Sequence, residues 1–256
     1  MFSKAIVKFP SSNFAHGLTS VQQGFPDLKK TLEQHQFYCQ ALERCGLQLT
    51  YLPADDNYPD STFVEDTAIF TEKGVILALP GDISREGEVQ EMKKTIQTFT
   101  PSFASIEKPG SLDGGDICEA EQHFFIGLSK RTNEEGSRQL SKWLVSKGYT
   151  ASVIDIRSMQ NILHLKSGIA YIGENRMVVI PSLAGHPDLK NYELILTDQD
   201  EDYAANCVRV NQYLFMAKGF PKLSQRLKNL GYSLIELDMS EFQKMDGGLS
   251  CLSLRF

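Results

Sequence analysis

One order of elements recurs along this chain and limits the folds open to it: two short apolar strands joined by a polar turn, then a helix, then one more strand. The first clear copy has strands at Ala68–Phe70 and Val75–Leu79, a helix over Glu86–Phe99 and a strand at Phe103–Ile106. The second runs Ile117–Glu119, Phe124–Ile126, a helix from Thr132 to Lys147, and Ala151–Ile154. That helix has a capping-box start, with Thr132 as N-cap and Glu135 three residues on. The third has Ile169–Ile172, Met177–Ile180, a poor helix around Pro187–Lys190, and Leu194–Leu196. The fourth has Cys207–Val210, Leu214–Met216, a helix opened by Pro221, and Leu234–Leu237.

The remainder is a strand at Ala5–Phe9, a helix over Asp27–Arg44, a strand at Leu47–Leu52 and a lone strand at Leu252–Leu254. Joined through the termini these make a fifth copy. Five such modules, closed by pairing the first and last segments, form an α/β propeller-like ring without exposed sheet edges. Periodicity alone also permits a three-layer α/β fold. In the ring, the polar connections Pro53–Asp66, Pro109–Asp116, Arg157–His164, Asp198–Asn206 and Asp238–Ser250 all lie at one end of the axis, where loops carry function.

The formal charge of −6 and a pI near 5.4 are the wrong footprint for a nucleic-acid partner. With no apolar run of membrane-spanning length and no leader-like start, a cytoplasmic, non-membrane protein is expected. The five cysteines are irregularly spaced without a Cys-x-x-Cys pair, so reduced thiols are expected rather than disulfides or a structural metal site.

The chemistry-bearing residues fall in the connections. Cys251 follows the turn Asp246-Gly247-Gly248, and Leu112-Asp113-Gly114-Gly115-Asp116 repeats that hydrophobe-Asp-Gly-Gly core in another connection, so the two turns are expected to face each other. A buried cysteine in a terminal strand is the competing reading for Cys251. His164 closes a third connection and supplies the imidazole a thiol nucleophile needs near neutral pH. The loop Pro59–Asp66 carries Asp60, Glu65 and Asp66; it is either a solvated acidic loop or a receptor for a guanidinium or ammonium group. Arg85 and Arg131 precede two successive module helices and suit an α-carboxylate if they are not simply surface charges. Carboxylates for a cation, arginines for an anion and a Cys-His pair together describe a site for an amino acid with a cationic side chain.

With these residues in place the chain resembles the dimethylarginine dimethylaminohydrolases, of the guanidine-modifying superfamily, in their short bacterial form. The resemblance runs along essentially the whole chain and is strongest at Asp27–His35, Pro59–Asp66, Ser111–Asp116, Gly127–Asn133, His164–Lys166, Ala204–Cys207 and Asp246–Phe256. It implies a five-bladed α/β propeller, the pentein fold, formed by residues 1–256 as a single catalytic domain. It also implies hydrolysis of dimethyl- or monomethylarginine to citrulline and the methylamine, without metal or organic cofactor. By that resemblance Cys251 matches the nucleophile, His164 the general acid/base and Asp113 the carboxylate that supports the histidine, a position where the family carries Glu or Asp. Asp66 matches the guanidinium acid, Asp60 with the Leu18 carbonyl the α-ammonium site, Arg85 and Arg131 the carboxylate clamp, and Glu65 and Met245 positions lining the site.

Arginine deiminases of the superfamily carry His-x-Asp where this chain has His164-Leu165-Lys166. The acid would accept N–H donors that a dimethylated nitrogen lacks, and left unpaired it would weaken binding by about 1–3 kcal/mol. Its absence favours the methylated substrate over the alternatives, an arginine or agmatine deiminase, an amidinotransferase, or a non-catalytic ribosome-binding propeller. The expected partners are the small-molecule substrate and, at most, a second copy of the chain.

Overall fold

A computed structural model describes residues 1–256 and arranges fifteen strands as five three-stranded sheets. Each sheet has the same build: an antiparallel hairpin whose second strand also pairs in parallel with the strand that follows the module's helical or 3-10 connection. In the second module, Ile117–Ala120 pairs with His123–Leu128, which pairs in parallel with Thr150–Asp155 after the helix Glu134–Ser146. The termini complete the fifth sheet as expected. Lys4–Lys8 lies between Leu254–Arg255, antiparallel, and Gln48–Leu52, parallel, with the helix Leu28–Arg44 as the crossover.

The ring closes because every sheet shares an apolar cluster with its neighbours. Ile6 and Leu254 of the terminal sheet pack with Val75 and Leu77 of the next; Ile76 packs with Phe124 and Ile126; Phe125 with Val178 and Leu214; and Val210 and Phe215 return to Ala5 and Val7. A three-layer fold would have one continuous sheet, which these five separate sheets exclude.

Two local expectations change. The third module has only the 3-10 turns Pro181–Leu183 and Pro187–Leu189 in place of a helix, the extreme of the weak helix read there. The cap of the second module's helix is not Thr132: Asn133 takes that role, its side chain accepting from Gly136 N–H. Thr132 is instead fully buried, donating to Asp116 Oδ2 at 2.7 Å and accepting from Asp113 N–H at 3.1 Å. A buried carboxylate competes for the hydroxyl more strongly than a helix end that a neighbouring Asn can satisfy.

Candidate active site

The 3-10 turn Val64–Thr67 is the hub at one end of the axis. Both Gly-Gly turns abut it. A Cβ on Gly114 would lie 1.9 Å from the Glu65 carbonyl oxygen and one on Gly247 would lie 2.4 Å from the Phe63 ring, so only glycine allows either approach. The two turns therefore meet through this hub.

Around it Leu18, Asp60, Phe63, Asp66, Arg85, Arg131, His164, Met245, Asp246 and Cys251 line one small cavity. A segment near the N-terminus covers it. Leu18 N–H donates to both oxygens of Asp60 (3.1 and 3.0 Å), Thr19 Oγ1 to the Lys244 carbonyl, and Ser20 N–H and Oγ to Asp246.

Asp113 and His164 come from different modules and form a direct pair, Nε2 to Oδ2 at 3.0 Å. The shorter carboxylate reaches because it is held from behind, its Oδ1 accepting Gly81 N–H at 2.7 Å and its own N–H donating to Thr132. Burial works against a charged imidazole at His164, but the carboxylates of Asp66, Asp116 and Asp113 outweigh it and raise the ring's pKa to about 9. At neutral pH it is an imidazolium, ready to give a proton.

Burial would by itself raise Asp66, yet the charges of His164 and Arg85 and hydrogen bonds from Arg85 Nη1 (2.7 Å) and Gly115 N–H (2.8 Å) hold it at about 2. It stays ionised, with lone pairs left on both oxygens for a cation. Burial raises Asp60, against Arg85 and the Leu18 N–H.

The two arginines differ. Arg85 is buried, with Nε and Nη2 on Glu88 (3.0 and 2.8 Å), Nη1 on Asp66, and Nη2 also reaching the carbonyls of Phe63 and Asp60. Its donors hold the acidic loop in shape. Arg131 lines the cavity, and its Nη1, 3.3 Å from Asp82 Oδ2, is buried without a hydrogen bond.

Cys251 is half-buried in the 3-10 turn Ser250–Leu252, one step before the expected strand, and its Sγ accepts Gly248 N–H at 3.4 Å. Burial first, then the charges of Glu65 and Asp66, push the thiol up to about 12. It is the one cysteine of the five that is not buried, which sets aside the competing reading of an inert core residue. It also opens onto a second chamber of about 270 Å³, lined by Ile162, Ser167, Tyr203 and Asn206 among others.

One expected residue sits differently from the sequence reading. Glu65 turns away from this cavity, its carboxylate meeting Lys166 Nζ, Ser250 Oγ (2.7 Å) and Arg255, and it lines a separate space on the far side of the axis. Leu18 lines the cavity beside Asp60, to which its N–H donates. Met245 lines the cavity from the apolar cluster around Phe63 and Phe242. Residues that the sequence reading did not single out are Asp116, which accepts from Ser129, Thr132 and Leu165 N–H, and Asn206. Asp116 was visible as the end of the Asp-Gly-Gly-Asp motif, and Asn206 as the end of the connection Asp198–Asn206, within the matched stretch Ala204–Cys207.

Asp66, Asp113 and His164 have potential ligand atoms within 4.8 Å of one another. Their acceptors already face Arg85, Gly115 N–H, Gly81 N–H and a protonated imidazole, a donor set that suits an organic cation rather than a metal ion.

Residues 51–215 match the family model described as arginine deiminase. The chain is 41% identical, over 100% of both chains, to the N(G),N(G)-dimethylarginine dimethylaminohydrolase of Pseudomonas aeruginosa, and 30% identical, over 98% and 96%, to that of Streptomyces coelicolor. Its fold superposes on the Pseudomonas aeruginosa enzyme, solved as a mutant complexed with citrulline, with a TM-score of 0.97 at 40% identity over both full chains. At 16% identity the N-terminal domain of the cyanobacterial arginine dihydrolase ArgZ shares the fold, with a TM-score of 0.90, covering 100% of this chain and 97% of that one.

Proposed function

We infer the reaction from the premise that this chain belongs to the dimethylarginine dimethylaminohydrolase family: it hydrolyses Nω,Nω-dimethyl-L-arginine and the monomethyl form to L-citrulline and the methylamine. The observation that carries this reading is one cavity holding a half-buried thiol, an imidazolium–carboxylate pair, an ionised acid and an arginine with an unpaired buried donor.

Each end of such a substrate has a partner. Arg131, with the charge of Arg85 behind it, takes the α-carboxylate; Asp60 takes the α-ammonium; Asp66 takes the guanidinium. Met245 and Leu18 wall the aliphatic part. Residues 1–256 act as one catalytic unit.

At rest the thiol of Cys251 and the ring of His164 are both protonated at neutral pH. A bound guanidinium neutralises Asp66, one of the carboxylates that disfavour a thiolate, so binding itself promotes loss of the thiol proton. The thiolate adds to the guanidinium carbon, giving a tetrahedral adduct. His164 then protonates the dimethylamino nitrogen, the C–N bond breaks, and the amine leaves a cationic thiouronium on Cys251. Neutral His164, steadied by Asp113, takes a proton from water as its oxygen attacks that carbon. Collapse to the carbonyl expels the sulfur and releases citrulline, and the hydroxyl proton of the adduct replaces the proton that the thiol gave up to solvent on substrate binding. All bond changes occur on substrate, thiol, imidazole and the attacking water. Five free cysteines suit the reducing cytoplasm.

The test is incubation with dimethylarginine, arginine and agmatine, following citrulline, dimethylamine and ammonia. Dimethylamine and citrulline from the methylated substrate are expected, with turnover lost and binding kept in Cys251→Ser. A higher specificity constant for ammonia release from arginine would reverse the substrate assignment.

A further inference from the structure

Four of the five axial connections account for the chemistry assigned above; the fourth in chain order, Asp198–Asn206, contributes none of it. Its 3-10 turn Gln199–Ala205 nonetheless ends on a buried Asn whose side chain is fully used. Asn206 Nδ2 donates to the Lys166 carbonyl at 2.9 Å and to Ser250 Oγ at 3.0 Å, and its Oδ1 accepts Ser250 N–H at 2.9 Å. Ser250 Oγ in turn donates to Glu65 Oε2 at 2.7 Å, and Glu65 Oε1 pairs with Lys166 Nζ.

These contacts form a closed circuit, and each member is a neighbour of a residue given chemistry above. Lys166 is two residues after His164, Ser250 directly precedes Cys251, and Glu65 directly precedes Asp66. The same connection props the glycine turn from its other side, Tyr203 Oη donating to the Gly247 carbonyl at 2.8 Å. Gly248 packs so closely on Asn206 that a Cβ there would meet Oδ1 at 2.6 Å, and it is Gly248 N–H that points at the Cys251 sulfur.

We propose that Asn206 is a positioning residue for the reaction: it fixes the Cys251 turn against the His164 strand start, and so sets where the sulfur stands relative to the imidazole and to the guanidinium carbon. A buried, saturated Asn is commonly only a structural tie. Here the two segments it bonds directly, at Lys166 and Ser250, come from different modules whose relative placement decides the distance between nucleophile and acid, and Glu65 joins the same circuit through Ser250 and Lys166. A misplacement near 1 Å at such a centre costs about 10²-fold in rate. Asn206 touches no part of the cavity that holds the amino-acid end, so KM should not follow kcat.

The proposal rests on the hydrolase reading, and its test separates the two. Asn206→Ala and Asn206→Asp are compared with Asn211→Ala, which removes a similarly bonded Asn tied to Phe2 and Cys45 carbonyls away from the site. Two readouts are taken, kcat and KM for dimethylarginine, and the pH profile of Cys251 alkylation by iodoacetamide. Asn206→Ala should lower kcat at least 30-fold with KM within about threefold. Its alkylation profile should move at least one pH unit toward the ordinary thiol range, as the sulfur leaves the half-buried place where Gly248 N–H holds it. Asn206→Asp keeps the bond from Ser250 N–H and so keeps the fold, but loses both donors; a roughly tenfold fall in kcat is expected. A folded Asn206 variant with kcat within threefold of wild type and an unmoved alkylation profile overturns the proposal. So does Asn211→Ala, if it reproduces the same kcat loss at the same melting temperature. If the wild type hydrolyses no methylarginine, the hydrolase reading fails while the alkylation profile still decides the role of Asn206.

Discussion

Replacing Gly115 by Ala tests the geometry of the imidazole more sharply than removing the imidazole itself. A Cβ at this position would lie 2.6 Å from His164 Nδ1, 2.8 Å from its Cγ and 3.0 Å from Asp66 Oδ1. Ordinary contact begins near 3.4 Å, so the ring must retreat by about 0.8 Å, or the hub must open. The ring cannot retreat freely, because Nε2 is held at 3.0 Å by a completely buried Asp113. Gly115 does not have a positive φ, so the substitution acts through this contact and not through backbone strain. A displacement approaching 1 Å predicts a fall in kcat of about 10²-fold, equivalent to about 2.7 kcal/mol of barrier. Overpacking should also lower stability by about 1–3 kcal/mol. KM should rise by no more than a few-fold, since Asp60 and Arg131 are untouched and only Asp66, 3.0 Å from the new Cβ, is pressed. The assay is citrulline release at saturating dimethylarginine, with a melting curve for each protein, and Gly185→Ala as control because a Cβ there meets no atom within 4 Å. A folded Gly115→Ala protein turning over within threefold of wild type would refute the placement of His164 against this turn.

Four further outcomes follow from the same geometry. Arg131→Ala should raise KM for dimethylarginine by about 10- to 150-fold, the worth of a charge-assisted bond of about 1.5–3 kcal/mol, and leave an analogue without the α-carboxylate unaffected; an equal effect on both would remove the anion role. Thr132→Val, which strands the Asp113 N–H and leaves Asp116 Oδ2 with Ser129 alone, should cost about 1–3 kcal/mol in urea unfolding and also slow turnover. Asn133→Ala, the true cap, should cost about 1 kcal/mol and leave turnover unchanged, a contrast that fails if Thr132 is the cap after all. For pH, His164 is raised from an unfolded value near 6.5 to about 9, so its contribution is complete below pH 6.5 and is lost as pH rises through 9. Wild type should therefore lose on the order of 3 kcal/mol across that window relative to His164→Gln, measured by denaturant unfolding at each pH. Asp66, held at about 2, shows the same attraction from the other partner and is lost only as pH falls through 2, so it is not counted again.

The ring was legible because each module needs its neighbours. A three-stranded sheet with one helix cannot bury its apolar face alone, and five repeats of the pattern, one of them split between the termini, admit closure as the solution without free edges. The make-up of the site was legible where a residue's position follows from its connection, as at Cys251, His164, Asp113, Asp60 and Asp66, which the fold brings together. It was not legible where local pattern and tertiary demand disagree. Thr132-x-x-Glu135 reads as a capping box, yet Asp116, sixteen residues back and fully buried, takes the hydroxyl.

The two arginines show what separates the legible from the rest. Arg85 and Arg131 occupy equivalent places before successive helices, and each has a Glu three residues on. Glu88 is buried and folds back onto Arg85 with two short bonds, whereas Glu134 is exposed and pairs with Arg157 from the next connection. One arginine is thereby bound into the scaffold of Asp66 and the other keeps a buried N–H without a partner. The same logic parts Glu65 from Asp66. Neighbours in a 3-10 turn project about 120° apart, so a single loop can place one carboxylate toward the substrate cavity and the next toward Lys166 and the circuit behind the nucleophile. Neither distinction is written in residue type or spacing. Both follow from which charge finds its counter-ion inside the ring, and the charges left without one, or with only part of one, are those that face the cavity.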